Sequence, residues 1–311
     1  MQLDDGAEEE TAASCSGAVS SVQPAPKKRR GKAQAPRSFA CTFPEYQQVP
    51  GVNWSTLKHL DKSPLHYKHH LEQPPDDTAS MMGGRAAHTA ILEPDRFPLD
   101  YAVFTGPRRQ GGDWEAFKAA HPGRTILKAA EYQEALAIRD AVRGHKVADR
   151  ILSGGEPERT ITWDDPETGI PCKGRVDYLR PDGFVDLKTS ANLDERRFQN
   201  TAHDLGYHMQ IAFYCRGLKA LGMEAPKVWI VAVEAGEPHD VAPFVVDPGV
   251  IATGEARIVE LMALLADCTK RKKWPGRYPD ETPFVLPGWA YTQSDEDWAE
   301  TLGLTVGGEA A

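Results

Sequence analysis

The sequence predicts an α/β protein with a mixed central sheet flanked by helices and a helical N-terminal elaboration. Two observations carry this. Apolar residues recur at helical spacing up to Gly154-Gly155, then alternate from Glu158 onward. The order that follows is a three-strand meander, a helix, two strands and a final helix, which one sheet covered by helices accommodates.

The elements follow in order. Residues 1–38 hold few large apolar side chains and the basic run KKRRGK (Lys27 to Lys32). They cannot bury enough surface to offset ordering entropy, so a disordered tail is expected. That run touches phosphates, acts as a nuclear signal or is a solvated basic segment. A folded domain is expected over 39–274, helical over 39–155 and with its core over 156–274. Trp54 to Leu60 has helical spacing, with Asn53 or Ser55 as N-cap. Ser63-Pro64 pairs an N-cap with proline at the first helical position of a helix to Glu72. Small residues from Ala79 to Glu93 form a helix that Pro94 stops, and another spans Ala129 to Leu152. Strands are expected at Glu158–Trp163, Ile170–Leu179 and Phe184–Thr189, joined by turns at Asp165–Gly169 and Arg180–Gly183. A helix from Leu193 to Leu221, strands at Lys227–Glu234 and Asp240–Val246, and a helix from Gly249 to Lys270 complete the domain. Residues 275–311 are Pro-rich, then acidic.

Of 311 residues, 41% are hydrophobic and 26% charged, the balance of a soluble globular chain. No apolar run approaches the roughly 18 residues a membrane span needs. The acidic N-terminus is unlike a secretory signal. Five widely spaced cysteines without a CxxC argue for reduced thiols in a cytoplasmic protein, not for zinc or a disulfide framework. A net charge of −9 argues against coating nucleic acid through a broad basic surface. It leaves room for a nucleic-acid enzyme whose acids hold metal.

The stretch GRVDYLRPDGFVDLKTS, Gly174 to Ser190, carries the chemistry. A β-turn at Arg180-Pro181-Asp182-Gly183 puts Asp177 opposite Asp186, with Cβ atoms about 5 Å apart. Lys188 shares that face, while Val185 and Leu187 point into the core. Two adjacent carboxylates repel and need neutralising. Lys188 supplies one charge, and a divalent cation would supply two. Carboxylate oxygen suits Mg²⁺ or Mn²⁺. An ordinary hairpin salt-bridge ladder is the plain alternative. Glu158, on the first strand, is either an outer acid of the site or a solvated side chain.

The spacing D–x8–DxK on a hairpin that feeds a helix resembles the PD-(D/E)XK nuclease superfamily. The details are most similar to the exodeoxyribonuclease VIII (RecE-like) branch of the RecB-like group. The resemblance covers Val52 to Glu234: LKHLDKSPLHYKHHLE, GRAAHTAILEPDRF, CKGRVDYL, VDLKTS and YHMQIAFY. It implies a restriction-endonuclease-like core with His88, Asp177, Asp186 and the backbone carbonyl of Leu187 as metal ligands. Lys188 would be the catalytic lysine. Gln210 and Tyr214 match the group's Q-x-x-x-Y signature and, with Tyr207 and Arg175, would face DNA. The chain departs from the pattern at Val176, where the superfamily's proline would stand, and uses Asp186 where many relatives use Glu. The implied activity is Mg²⁺-dependent, 5′ to 3′ degradation of duplex DNA from its ends, leaving 3′ single strands for recombination. A bacterial or phage setting, a single-strand annealing partner and a homo-oligomeric ring come with it. A RecB-like nuclease on single strands or flaps, and a non-catalytic DNA-binding protein of the same fold, are the alternatives.

Overall fold

A computed structural model describes residues 35–74, 78–287 and 290. Residues 1–34 of the tail expected over 1–38, and the acidic end from 291, lie outside the described residues.

The chain opens with strand β1 (Arg37–Ala40) and helix α1 (Phe43–Gln48), then α2 (Trp54–Lys62), α3 (Pro64–Glu72) and α4 (Ala79–Leu92). Next come α5 (Phe97–Asp100), β2 (Tyr101–Phe104), α6 (Gly112–Ala120), β3 (Thr125–Lys128), α7 (Ala129–Gly144) and α8 (Lys146–Ile151). The core follows with β4 (Glu156–Asp164), β5 (Pro171–Arg180), β6 (Gly183–Ser190), α9 (Glu195–Asp204), α10 (Tyr207–Ala220), β7 (Lys227–Glu234), β8 (Val241–Val245) and α11 (Pro248–Arg271).

The caps read from sequence are present. Asn53, not Ser55, caps α2 by accepting the Thr56 N–H at 3.0 Å, and Ser63 Oγ accepts the His66 N–H at 3.2 Å ahead of Pro64. Six strands form one mixed sheet in the order β1-β4-β5-β6-β7-β8. Only β6 and β7 run parallel, and α9 with α10 supplies the crossover that parallel strands require. Phe184, Val228, Ile230 and Ala232 face one core, filled by Ile211 and Phe213 of α10 and Ile258 and Leu261 of α11. Val185, Leu187, Val231 and Val233 face the other, filled by α4, α7 and α8. Because strand side chains alternate, Asp186 and Lys188 project to the α10 side.

Four expectations need correction. Arg37 and Ser38, assigned to the tail, belong to β1, which pairs with β4. The helix expected over 129–152 breaks at His145, whose ring Nδ1 caps α8 by accepting the Ala148 N–H. The helix expected over 193–221 breaks at Gly206, whose left-handed backbone (φ 70°) suits glycine. A Cβ there would also meet Trp54 at 2.9 Å. Finally, β2 and β3 form a separate parallel pair, with α1, α5 and α6, where the sequence showed no periodic pattern. Such short elements bury at most three side chains each, too few to set a period.

Gly183 ends the β5–β6 turn for a reason the turn alone does not give. A Cβ there would lie 1.7 Å from the Lys227 carbonyl oxygen of the next strand. Beyond α11, Trp274 stacks on Tyr67, and Pro275 and Arg277 bond to α3 and to the end of α2. The four cysteines among the described residues are free. Among the described residues no helix is long and apolar enough to cross a membrane.

Candidate active site

Pairing of β5 with β6 follows the register set by the turn: Arg180 opposite Gly183, Leu179 opposite Phe184, Tyr178 opposite Val185. It ends there. The next pair would be Asp177 with Asp186, but Asp177 Oδ2 instead accepts the Leu187 N–H at 2.8 Å. The two aspartates are therefore not ladder partners, a correction to the pairing expected from the turn. In a strand a residue's N–H and C=O point to the same side. The Leu187 carbonyl therefore lies on the edge that Asp177 occupies.

A second break faces the first. In β4 the ladder with β5 omits Glu158, which lies opposite Asp177, and Glu158 has φ 51°. Positive φ is uncommon for a residue with a side chain and tends to occur where function demands it. Across this point Val176 packs in one core and Tyr178 in the other, so the alternation of β5 changes phase at Asp177. These irregularities turn both carboxylates toward α4. There His88 Nδ1 lies 3.9 Å from Asp177 Oδ2. His88, Glu158 and Asp177 bring one ligating atom each within 4.8 Å of one another, the one such metal-capable group found among the described residues.

Asp186 is not part of that group. It is 1% exposed, and its carboxylate is held by Lys188 Nζ at 2.6 Å and Gln210 Nε2 at 3.2 Å. Lys188 also donates to Gln210 Oε1 at 3.1 Å and sits 4.7 Å above the Tyr207 ring. Gln210 Nε2 reaches the Tyr214 hydroxyl at 3.4 Å. The structure thus brings Lys188, Asp186, Gln210, Tyr207 and Tyr214 into one chain of contacts. The Tyr214 ring itself lies in the core against Phe184 and Phe213. Arg175 is engaged by Glu158, donates to the Cys41 carbonyl at 3.3 Å and lies over the Phe43 ring.

Asp177, Glu158, His88 and Gln210 line a cleft of about 760 Å³, which Lys58 and Arg96 also line. Burial, reinforced by Asp186, pushes the Asp177 carboxyl up to about 7. Burial and then Asp177 push Glu158 up as well. Burial holds His88 down, keeping its imidazole neutral. For Lys188 burial pulls downward, but the Asp186 and Asp177 charges outweigh it and the net direction is up. Burial lifts Tyr214 well above the ordinary phenol range, so its hydroxyl stays protonated.

The donor set fits a divalent cation. One neutral imidazole and two carboxylates whose pKa values burial raises are neutralised by a double positive charge where protons would otherwise do it. Oxygen with one nitrogen suits Mg²⁺ or Mn²⁺.

The profile of a family described as "PDDEXK-like domain of unknown function (DUF3799)" matches residues 53–280. The chain belongs to this PDDEXK-like family. Among solved structures, a protein from Eubacterium rectale described as a "putative exonuclease" aligns with a TM-score of 0.57 at 14% identity, covering 81% of this chain and 98% of its own. The PDDEXK-like chain therefore has a restriction-endonuclease-like fold. The protein SSO0001 aligns at 17% identity over 72% of this chain and 88% of its own, and at a TM-score of 0.27 does not bear on the fold. A comparison with curated proteins finds no significant match.

The sequence left Glu158 undecided between the site and solvent. The signal was available. The turn after β4 pairs Asp165 with Ile170, and that register carried down the strands sets Glu158 opposite Asp177. Lys58 and Arg96 carried no such signal, since helices distant in sequence place them in the cleft.

Proposed function

We propose that this PDDEXK-like protein is a Mg²⁺-dependent exodeoxyribonuclease that degrades duplex DNA from its ends, 5′ to 3′, leaving 3′ single strands for recombination. The observation that carries this reading is the convergence of His88, Glu158 and Asp177 in one cleft, whose lining residue Gln210 bonds to both members of the Lys188–Asp186 pair behind it. Mg²⁺, or Mn²⁺ in its place, would be held by these three residues, with Asp186 and the Leu187 carbonyl next to Asp177. Bound there, the cation would polarise a phosphoryl oxygen and acidify a water. The protein's own groups do the rest. Asp186 and Gln210 fix the Lys188 ammonium, which steadies charge developing at the phosphate. Gln210 and Tyr207 position the strand without adding charge. Lys58 brings a positive charge to the cleft, whereas Arg96 is engaged by Glu93 and Asp100.

Polarity, the recombination setting, a bacterial or phage-infected cytoplasm, a single-strand annealing partner and a ring-like homo-oligomer rest on the resemblance of the D–x8–DxK and Q-x-x-x-Y motifs. End-labelled duplex, single-stranded and flap DNA, each with Mg²⁺ or EDTA, test the reading. Degradation of duplex from its 5′ ends, absent in EDTA and in Asp186→Ala, is expected. Cleavage only of single strands or flaps supports the RecB-like alternative, and inactivity on all three the non-catalytic one.

A further inference from the structure

The turn that leads into β3 has two sides. Gly123 and Thr125 line the cleft on one side and, on the other, a second groove of about 420 Å³. That groove is walled by α6, the turn after it and the start of β3, with Met82 of α4. Arg109, Trp114, Lys118, His121 and Arg124 line it, and among the described residues no carboxylate does. On a chain of net charge −9 this is a local reversal of sign. Arg109 spends its charge on Glu131. Arg124 donates to the backbone carbonyls of Pro98 and Tyr101, which hold the guanidinium without cancelling its charge. Lys118 is half exposed and reaches only the exposed Glu115, a pairing worth little in water. Its ammonium lies 5.8 Å from the Trp114 ring centroid. Trp114 is half-buried, edge-on to Phe104, and His121 stacks on Phe117.

We infer that this groove binds single-stranded DNA as a continuation of the cleft, with a base on Trp114 and phosphates at Lys118 and Arg124. Cations interleaved with an aromatic face are what a strand with unstacked bases requires, whereas a duplex hides its base faces. The shared rim at Gly123 and Thr125 would pass one strand from cleft to groove. The inference rests on the cleft acting on DNA, and its test does not require cleavage.

Binding of a fluorescent oligothymidylate and of a blunt duplex is measured by anisotropy in EDTA, across a salt series, for the full chain and two variants. Trp114→Leu keeps an apolar contact for Phe104 and removes the stacking face. It should weaken oligothymidylate binding about 5-fold or more. Lys118→Gln should lower the slope of log affinity against log salt by about 0.7, the value for one phosphate on a single strand. Duplex binding and melting temperature should not change in Lys118→Gln. If Trp114→Leu lowers the melting temperature, the Lys118→Gln slope decides. An unchanged slope, or equal losses on duplex and single strand, would overturn the inference. Both effects in a protein that cuts no DNA would sink the proposed nuclease and leave the groove standing.

Discussion

Helix α10 presents buried acids with two different solutions. Near its C-terminal end Arg216 meets Asp165, Glu167 and Glu255; near its N-terminal end Gln210 and Tyr214 meet the site of Asp177 and Asp186. At the first, the acid that is fully buried has both oxygens engaged. Asp165 Oδ2 takes Arg216 at 2.6 Å, and Oδ1 takes the Thr168 N–H and hydroxyl at 2.9 and 2.6 Å. The other two acids there, Glu167 and Glu255, are half exposed to water. At the second, Arg175 engages Glu158 and Lys188 engages Asp186, while Asp177 meets the Leu187 N–H and the His88 ring. Asp177 is driven up to about 7. The first arrangement is complete without a ligand. The second is short of positive charge, which marks a site that binds something.

The comparison breaks most visibly at Arg216. Arg216→Met should strand Asp165 and cost about 3–5 kcal/mol, since losing one partner of a buried pair leaves an uncompensated charge. Urea unfolding measures it, and activity should fall only with the folded fraction. A loss under about 1 kcal/mol would remove the contrast between the two ends of α10.

Lys188→Met sharpens the other end. It should slow cleavage on the order of 100-fold or more, as loss of a charge-stabilising group does, while Mn²⁺ still binds. Parallel calorimetry and turnover measurements check it, and joint loss of both would make Lys188 a structural residue.

Another effect concerns pH. A folded pKa near 7 for Asp177 exceeds the unfolded value of about 3.9. Between these values the folded state holds the extra proton, so stability of the metal-free protein falls as pH rises through that window. Asp177→Asn keeps an oxygen for the Leu187 N–H and removes the titration. In EDTA it should exceed wild type by on the order of 4 kcal/mol at pH 8, with the gain shrinking toward pH 5. Thermal melts across pH report this, and a pH-independent difference would show that Asp177 does not titrate.

Much of this was legible in the residues. The turn at Arg180–Gly183 gives the true register, and β6 alternation puts Asp186 and Lys188 on the α10 side. The parting of β5 from β6 was not legible, because a ladder's end is set by what the side chains find, here the Leu187 N–H. Nor was the kink at Glu158, since glutamate does not advertise positive φ. The break of the long helix at Gly206 was marked only by one glycine. Its reason, the approach of Trp54, comes from more than 150 residues away.

The central claim is that the cluster of His88, Glu158 and Asp177 is a divalent-cation site. Titration of Mn²⁺ into the metal-free protein near pH 7.5, followed by calorimetry and by melting temperature, tests it most directly. The account predicts binding that releases protons and raises the melting temperature of wild type, with both signals lost in Asp177→Asn and kept in Lys188→Met. Equal Mn²⁺ binding by wild type and Asp177→Asn would contradict it.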